Sequence, residues 1–312
     1  MGQVFIGHLT LDDILFSATQ KLVPKNFGGA SVYSACGAAL WGNQTCIMSI
    51  VGENFPLSDF NNVCKKANID TSLIKQVTGN GIELVIEYDE KGEREFIPKE
   101  WSGNYYDFAP KAEDLPNDVI IRNNVFHLTP VPIVIQLEIA KKIKQTNNDK
   151  IVTLDPDVIE IEFLKKQNWI ETFRYVDYLL ISQKELSKFK KIFYEAHSCV
   201  DMPKFLQIFC NDFGIKNIVL KSGEQGAYLL SNNQLTYAPI CNVTPKDLTG
   251  AGDSFAGGFG AALESGKSAL AGMQYGTVSA SVAIEDYGFE HMINVDKSIL
   301  IERLKQVQLK AF

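Results

Sequence analysis

Histidine is scarce in this sequence, the cysteines form no close pairs, and neither a basic surplus nor a long apolar run is present. Four scattered histidines, with no His/Cys spacing of the zinc-binding kind, exclude a structural zinc site. Six cysteines (Cys36, Cys46, Cys64, Cys199, Cys210, Cys241) include no C-x-x-C pair, and the apolar surroundings of several predict reduced, buried thiols. A net charge of −7 argues against a polyanion such as nucleic acid as partner, because such ligands select a basic surface. A local phosphate site built from backbone amides escapes that exclusion. No stretch reaches membrane-spanning length, the N-terminus lacks the basic start and apolar core of a signal peptide, and Ile6 stands where myristoylation wants Ser or Thr. The expected location is cytoplasmic, with no membrane partner. A Walker P-loop is missing too: Gly266-Lys267-Ser268 has Ala261 where the first glycine belongs, and it ends a helix instead of following a strand.

What is present is an ordinary globular composition, 46% hydrophobic and 21% charged, over 312 residues, enough for one large α/β domain or two smaller ones. Neither a repeat nor a linker divides it, so 1–312 reads as a single domain. Short apolar runs at residues 4–7, 45–51, 125–128, 151–154 and 178–181 alternate with helical patterns such as 57–67 and 133–143. That alternation is the mark of a parallel, doubly wound sheet. Residues 81–89 and 94–98 break it as a mostly polar hairpin, with a turn at 90–93. Asp12, with Asp13, falls just past the first strand, and Asp155 ends another, where open α/β sheets bind ligands. On spacing alone, Asp12 and Asp13 read equally as solvated loop charges.

The most informative stretch is residues 247–259. Phe255, Phe259 and Leu263 recur at four-residue spacing and predict the buried stripe of a helix. Gly250-Ala251-Gly252 then lies at the helix entrance, where unpaired N–H groups and the positive end of the dipole attract an anion. Asp253 in the first turn has two readings, an ordinary capping aspartate or a catalytic base. Gly28-Gly29 opens a second helix of small residues, suited to close ligand approach or to tight packing.

Asp247, Thr249, Gly250, Ala251, Gly252, Asp253 and Phe255 resemble the C-terminal signature of the ribokinase-like (PfkB) family of carbohydrate and nucleoside kinases, D-T-x-G-A-G-D-x-F, with Leu248 and Thr249 slightly reordered. The resemblance extends over nearly the whole chain. It implies a doubly wound, mostly parallel sheet flanked by helices, with a small β-strand lid contributed by about 10–27 and 79–104. It also implies ATP-dependent transfer of the γ-phosphoryl group to a hydroxyl of a small sugar or polyol, with Mg2+ as cofactor. Asp253 would be the base, and the amides of Gly250, Ala251 and Gly252 the anion hole. Asp12 and the Gly28-Gly29 turn would hold the acceptor. Tyr33 stands where most members have an Asn that contacts the sugar, a departure that reshapes the acceptor pocket.

Ser182 and Glu185 resemble the family's N-x-x-E motif, which helps place Mg2+ and the nucleotide phosphates. Ser182 replaces the Asn, and Glu185 is equally at home as an ordinary first-turn glutamate. Lys221, Gly223 and Gly226 match the T-x-G-x-x-G nucleotide loop, with Lys221 in the usual Thr position; the bland reading is a hairpin turn. By resemblance, Asp247 and Thr249 contribute to a monovalent-cation (K+) site, and the lid carries a homodimer contact. Two other readings keep the fold: a nucleoside or inositol kinase, which Tyr33 leaves open, and a catalytically silent sugar- or nucleotide-binding member. The intact Gly-Ala-Gly-Asp string argues against the silent one.

Overall fold

The computed structural model describes residues 2–89, 94–194 and 201–312. The hairpin turn at 90–93 and Cys199 lie outside the described residues. In chain order the strands are β1 (Gln3–Ile6), β2 (Thr10–Phe16), β3 (Lys21–Gly28), β4 (Thr45–Gly52), β5 (Ile69–Val77), β6 (Glu83–Tyr88), β7 (Arg94–Pro98), β8 (Val125–Leu128), β9 (Ile151–Leu154), β10 (Tyr178–Ser182), β11 (Asn217–Lys221), β12 (Ala227–Ser231), β13 (Gln234–Ala238) and β14 (Lys310–Ala311). The helices are α1 (Ala30–Ala39), α2 (Leu57–Lys66), α3 (Asn117–Arg122), α4 (Ile133–Thr146), α5 (Lys166–Phe173), α6 (Gln183–Phe193), α7 (Met202–Phe213), α8 (Ala251–Glu264), α9 (Ala269–Ala283) and α10 (Lys297–Gln306).

Ten strands form the main sheet, in the order β14-β13-β12-β11-β10-β9-β8-β1-β4-β5. Pairing is parallel from β11 through β5, and antiparallel from β11 to β14. Apolar runs such as β4, buried at every position, fit a sheet covered on both faces. One face is packed by residues of α4 to α7, including Ile139, Trp169, Phe189 and Phe209; the other by α1, α2, α8 and α9, including Val32, Phe60, Phe259 and Val278. The chain leaves β1 toward β4 and β5, then returns to β8 on the other side of β1. That reversal makes a crevice beyond the carboxyl ends of the central strands, the place where doubly wound sheets take ligands.

A second sheet, β3-β2-β6-β7, stands apart from the first. Side chains alternate between its faces. Asp12, Ile14 and Phe16 therefore share a face with Ile86 and Tyr88, as the register Asp12↔Leu84, Ile14↔Ile86, Phe16↔Tyr88 requires. Asp13 points to the opposite face, where Lys99 holds it at 2.8 Å. Asp12 and Asp13 are thus strand residues and not the solvated loop charges that spacing alone allowed. The apolar side of the small sheet packs Ile14, Ile86 and Tyr88 together with Phe16 and Val23.

Helices α1 and α8 lie against each other with almost no side chain between them. A Cβ on Gly257 would collide with the Ser34 carbonyl, and one on Gly37 with the backbone of Ser254. Only glycine permits so close an approach. The consequence is functional: two helices that begin at Gly29 and Gly250 open side by side on one crevice. The five described cysteines are free and buried, as expected from their surroundings. Among the described residues, no helix is long and apolar enough to cross a membrane. Residues 264–268 only join α8 to α9: Gly266 and Lys267 donate back to Leu263 and Ala262, and Ser268 caps α9, so no phosphate loop exists there.

Candidate active site

The entrance of α8 is set by Gly250, which takes φ 73°, a left-handed conformation that favours glycine. A Cβ there would also overlap the ring of Tyr33, which packs directly beneath. Ala251 N–H donates to the Leu248 carbonyl at 3.3 Å, and Ser254 N–H to the Gly250 carbonyl at 2.8 Å. Among the described residues, the amides of Gly250 and Gly252 donate no hydrogen bond. Sequence reasoning grouped Gly250, Ala251 and Gly252 as equal donors. The structure instead turns Ala251 partly inward and leaves the two glycines at the helix mouth.

Beside Gly252 lies the ammonium of Lys221, 3.4 Å from where a Cβ would sit. Lys221 ends β11 and forms a direct ion pair with Asp155, just after β9; the Asp155 side chain is buried and that of Lys221 largely so, at 13% exposure. Burial pushes the Asp155 carboxyl up and the Lys221 ammonium down. Contact with Asp155, together with Glu185 and Asp253, reverses the second effect and leaves Lys221 above the ordinary lysine range. We take the pair as ionised, because a neutral Asp155 would leave the buried ammonium without its direct counter-ion.

On the other side of α8 stand Asp12, Gly28, Gly29 and Tyr33. The Asp12 carboxylate lies over Gly28, where any Cβ would occupy its place. Gly29 takes φ 105°, and a Cβ on it would strike the backbone leaving β1 at His8 and Leu9. Asp12 is 6% exposed, and its Oδ1 has no hydrogen-bond partner. Burial raises its carboxyl to about 7, against the opposing pull of Thr10 and Lys99. Tyr33 is buried, its phenol driven well above the ordinary range by burial and then by Asp247, Asp12, Tyr88 and Asp253. Asp253 therefore acts electrostatically on Tyr33 and on the Lys221–Asp155 pair.

Ser182 and Glu185 make a reciprocal cap at the start of α6: Glu185 N–H donates to Ser182 Oγ at 3.2 Å, and Ser182 N–H to Glu185 Oε2 at 2.6 Å. Gly223 and Gly226 both take positive φ. A Cβ on Gly223 meets open space, whereas one on Gly226 would collide with the Ala238 carbonyl. The second glycine of that loop thus serves packing against β13. Asp247 Oδ1 accepts from the Tyr88 hydroxyl and, at 2.7 Å, from Thr249 N–H; the Tyr88 hydroxyl also lies 2.8 Å from Thr249 Oγ1. Tyr88 gave no local sequence signal, since its partner Asp247 is 159 residues away. Among the described residues, no group of three or more His, Cys, Asp or Glu side chains gathers as a metal cage.

The sequence matches the profile of the pfkB family carbohydrate kinases over residues 4–295. The chain belongs to the pfkB family. It is accordingly a phosphotransferase with an alcohol group as acceptor. This pfkB chain is 26% identical to a cytidine kinase of Thermococcus kodakarensis over 295 residues, covering 91% of the chain and 96% of that protein. A ribokinase structure from Thermotoga maritima shares its fold with a TM-score of 0.78 at 22% identity, covering 98% and 99% of the two chains. A provisionally assigned ribokinase II from E. coli, solved with ATP and Mg2+, aligns with a TM-score of 0.76 at 18% identity over 98% and 99%. These likenesses bear out a mostly parallel sheet flanked by helices, with a small extra sheet beside it. Within the pfkB family, Tyr33, Ser182 and Lys221 are this chain's departures from the motifs its sequence resembles.

Proposed function

We propose that this protein transfers the γ-phosphoryl group of ATP to a hydroxyl of a small sugar or polyol, with Asp253 as base. The observation that carries the reading is the double neighbourhood of Asp253. Its charge acts on Tyr33, which also feels Asp12, on one side, and on the Lys221 ammonium beside Gly252 on the other. An acceptor hydroxyl held on the first side and a phosphoryl group on the second meet at its carboxylate.

The residues fit a polyphosphate. Two helix-mouth amides without acceptors and a largely buried ammonium supply positive potential at the entrance of α8. When bound, MgATP supplies the phosphoryl group, whose bond to the β-phosphate oxygen breaks with the electron pair leaving on ADP. Asp253 takes the acceptor's proton as the new O–P bond forms, and Gly250 and Gly252, assisted by Ala251, stabilise the charge on the phosphoryl oxygens. Asp12 accepts hydrogen bonds from acceptor hydroxyls through its unpartnered oxygen, and Gly28 and Gly29 let the acceptor reach the backbone. Gly223 supports the nucleotide, with Lys221 and the packing glycine Gly226 shaping that loop. Glu185 gives one oxygen to the α6 cap and would help hold Mg2+, which would neutralise charge on the phosphates. Asp247 Oδ1 is already committed to Tyr88 and Thr249, an arrangement that does not favour a monovalent cation such as K+ there. The small sheet is a lid over the acceptor, and its outer face supports a homodimer; the cytoplasm is the expected setting.

A nucleoside acceptor is the second reading. Tyr33 in place of Asn favours it, as does likeness to a cytidine kinase over nearly the full chain. Release of ADP in the presence of matched sugars, polyols and nucleosides decides between them. Turnover confined to nucleosides would replace the sugar reading, and no turnover with any acceptor would overturn the kinase reading.

A further inference from the structure

We propose that Lys221 is a catalytic residue of the phosphoryl transfer, its ammonium stabilising the migrating group at the mouth of α8, and that Asp155 is the positioning residue that fixes it there. The inference deepens the kinase reading and rests on it. By motif, Lys221 is only one member of a nucleotide loop. Its geometry places it elsewhere. The aliphatic stem runs along Gly252, with Cδ and Cε each 3.8 Å and Nζ 3.4 Å from the Cβ position. The ammonium therefore stands beside Gly252, whose amide is one of the two at the helix mouth that donate no hydrogen bond among the described residues.

A flexible lysine in water would be a poor fixed charge, because each rotamer it samples moves its Nζ. Here rotation is removed by burial and by the direct bond to Asp155 Oδ2. Asp155 is held in turn by its place: its own N–H donates to Leu128 at 2.9 Å and its carbonyl accepts from Gln136 at 2.8 Å. The groups that act electrostatically on Lys221 or feel its charge are Asp155 just after β9, Glu185 from α6, Asp253 from α8 and neutral, buried His127 from β8. Three carboxylates around one ammonium leave excess negative charge, which would repel a phosphate if all of it faced the donor. Asp155 is engaged by Lys221 itself, and Glu185 is partly spent in its cap. What remains toward the crevice is the ammonium next to the base. A cation there lowers the cost of bringing a phosphoryl group toward the Asp253 carboxylate, and stabilises the charge on the equatorial oxygens as it moves. No proton leaves Lys221 in this role.

The test compares wild type with Lys221→Met, Lys221→Arg and Asp155→Asn, reading ADP release with the best acceptor and MgATP affinity by calorimetry. Lys221→Met should lower kcat about 100-fold or more, while the MgATP Kd and the acceptor KM change less than about 3-fold; Lys221→Arg should recover part of kcat. Asp155→Asn removes the carboxylate that holds the ammonium charged. Its kcat should then fall as pH rises above about 8, where wild type stays level, because a buried lysine without its counter-ion loses its proton early. Where a single variant fails to fold, the double variant Asp155→Asn/Lys221→Met leaves no unpaired buried charge; it should fold, bind MgATP and remain inactive. The proposal is overturned if Lys221→Met keeps kcat within about 3-fold of wild type, if its loss lies wholly in MgATP affinity, or if Asp155→Asn keeps the wild-type pH profile. Wild type inactive toward every acceptor would instead sink the kinase reading, and this assignment with it.

Discussion

Asp12 shows how much one residue costs a fold that needs it. Its carboxyl is nearly out of water, with one oxygen unpaired, and burial raises it from 3.8 to about 7. The folded state holds that proton to higher pH than the unfolded chain does. Ionising Asp12 therefore costs stability, by an amount that grows as pH rises through this window and is full above it. Asp12→Asn should stabilise the protein by on the order of 2 kcal/mol at about pH 8, the gain shrinking toward zero near pH 4, as read from denaturation midpoints. The same change should raise the acceptor KM, because a carboxamide accepts fewer hydrogen bonds from hydroxyls. An equal loss of stability at both pH values would mean that the charge is compensated in the fold. Tyr33 is the other informative side chain. Its ring fills the space under Gly250, and its hydroxyl makes no hydrogen bond among the described residues. Tyr33→Asn should shift the ratio of kcat/KM among acceptors by about 10-fold or more, measured across the same sugar and nucleoside pair.

At the scale of elements, the site is a product of two helices pressed together and a small sheet tied to the 247–249 loop. Gly257→Ala should destabilise by about 1–3 kcal/mol through overpacking, visible as a lower Tm, and should cost turnover as well, since α8 carries Asp253. A neutral effect on both would show that the α1–α8 interface yields easily. Tyr88 joins β6 to the 247–249 loop, so Tyr88→Phe should raise the acceptor KM while leaving MgATP affinity near wild type. The helix mouth at 250–253, the βα alternation and the strand pair β6–β7 were legible in sequence, because glycine strings, four-residue spacing and strand runs are local signals. Tyr88 with Asp247 was not, nor was Lys221 with Asp155: each pair is made by topology, over separations of 159 and 66 residues. The same holds for Ala251, whose inward-turned amide depends on the conformation of the turn and not on residue type.

The whole molecule places its charges and its apolar surface differently. The interior of the crevice gathers Asp12, Asp247 and Asp253 around Tyr33, and Asp155, Glu185 and Asp253 around Lys221. The outer face of the small sheet leaves Leu22 and Ile97 exposed, at 52% and 37%. Their registers, Leu15↔Leu22 and Val85↔Ile97, put them on the side away from Asp12. If that face joins two copies, light scattering should report a dimer, and Leu22→Glu a monomer; a wild-type monomer at micromolar concentration would remove the lid contact from the account. The most direct test of the central claim is Asp253→Asn, assayed for MgATP binding by calorimetry and for ADP release in the presence of acceptor. The account predicts affinity within about 3-fold of wild type and turnover lower by about 10²–10⁴. Turnover close to wild type would contradict it, because the carboxylate between the two halves of the crevice would then have no part in moving the proton.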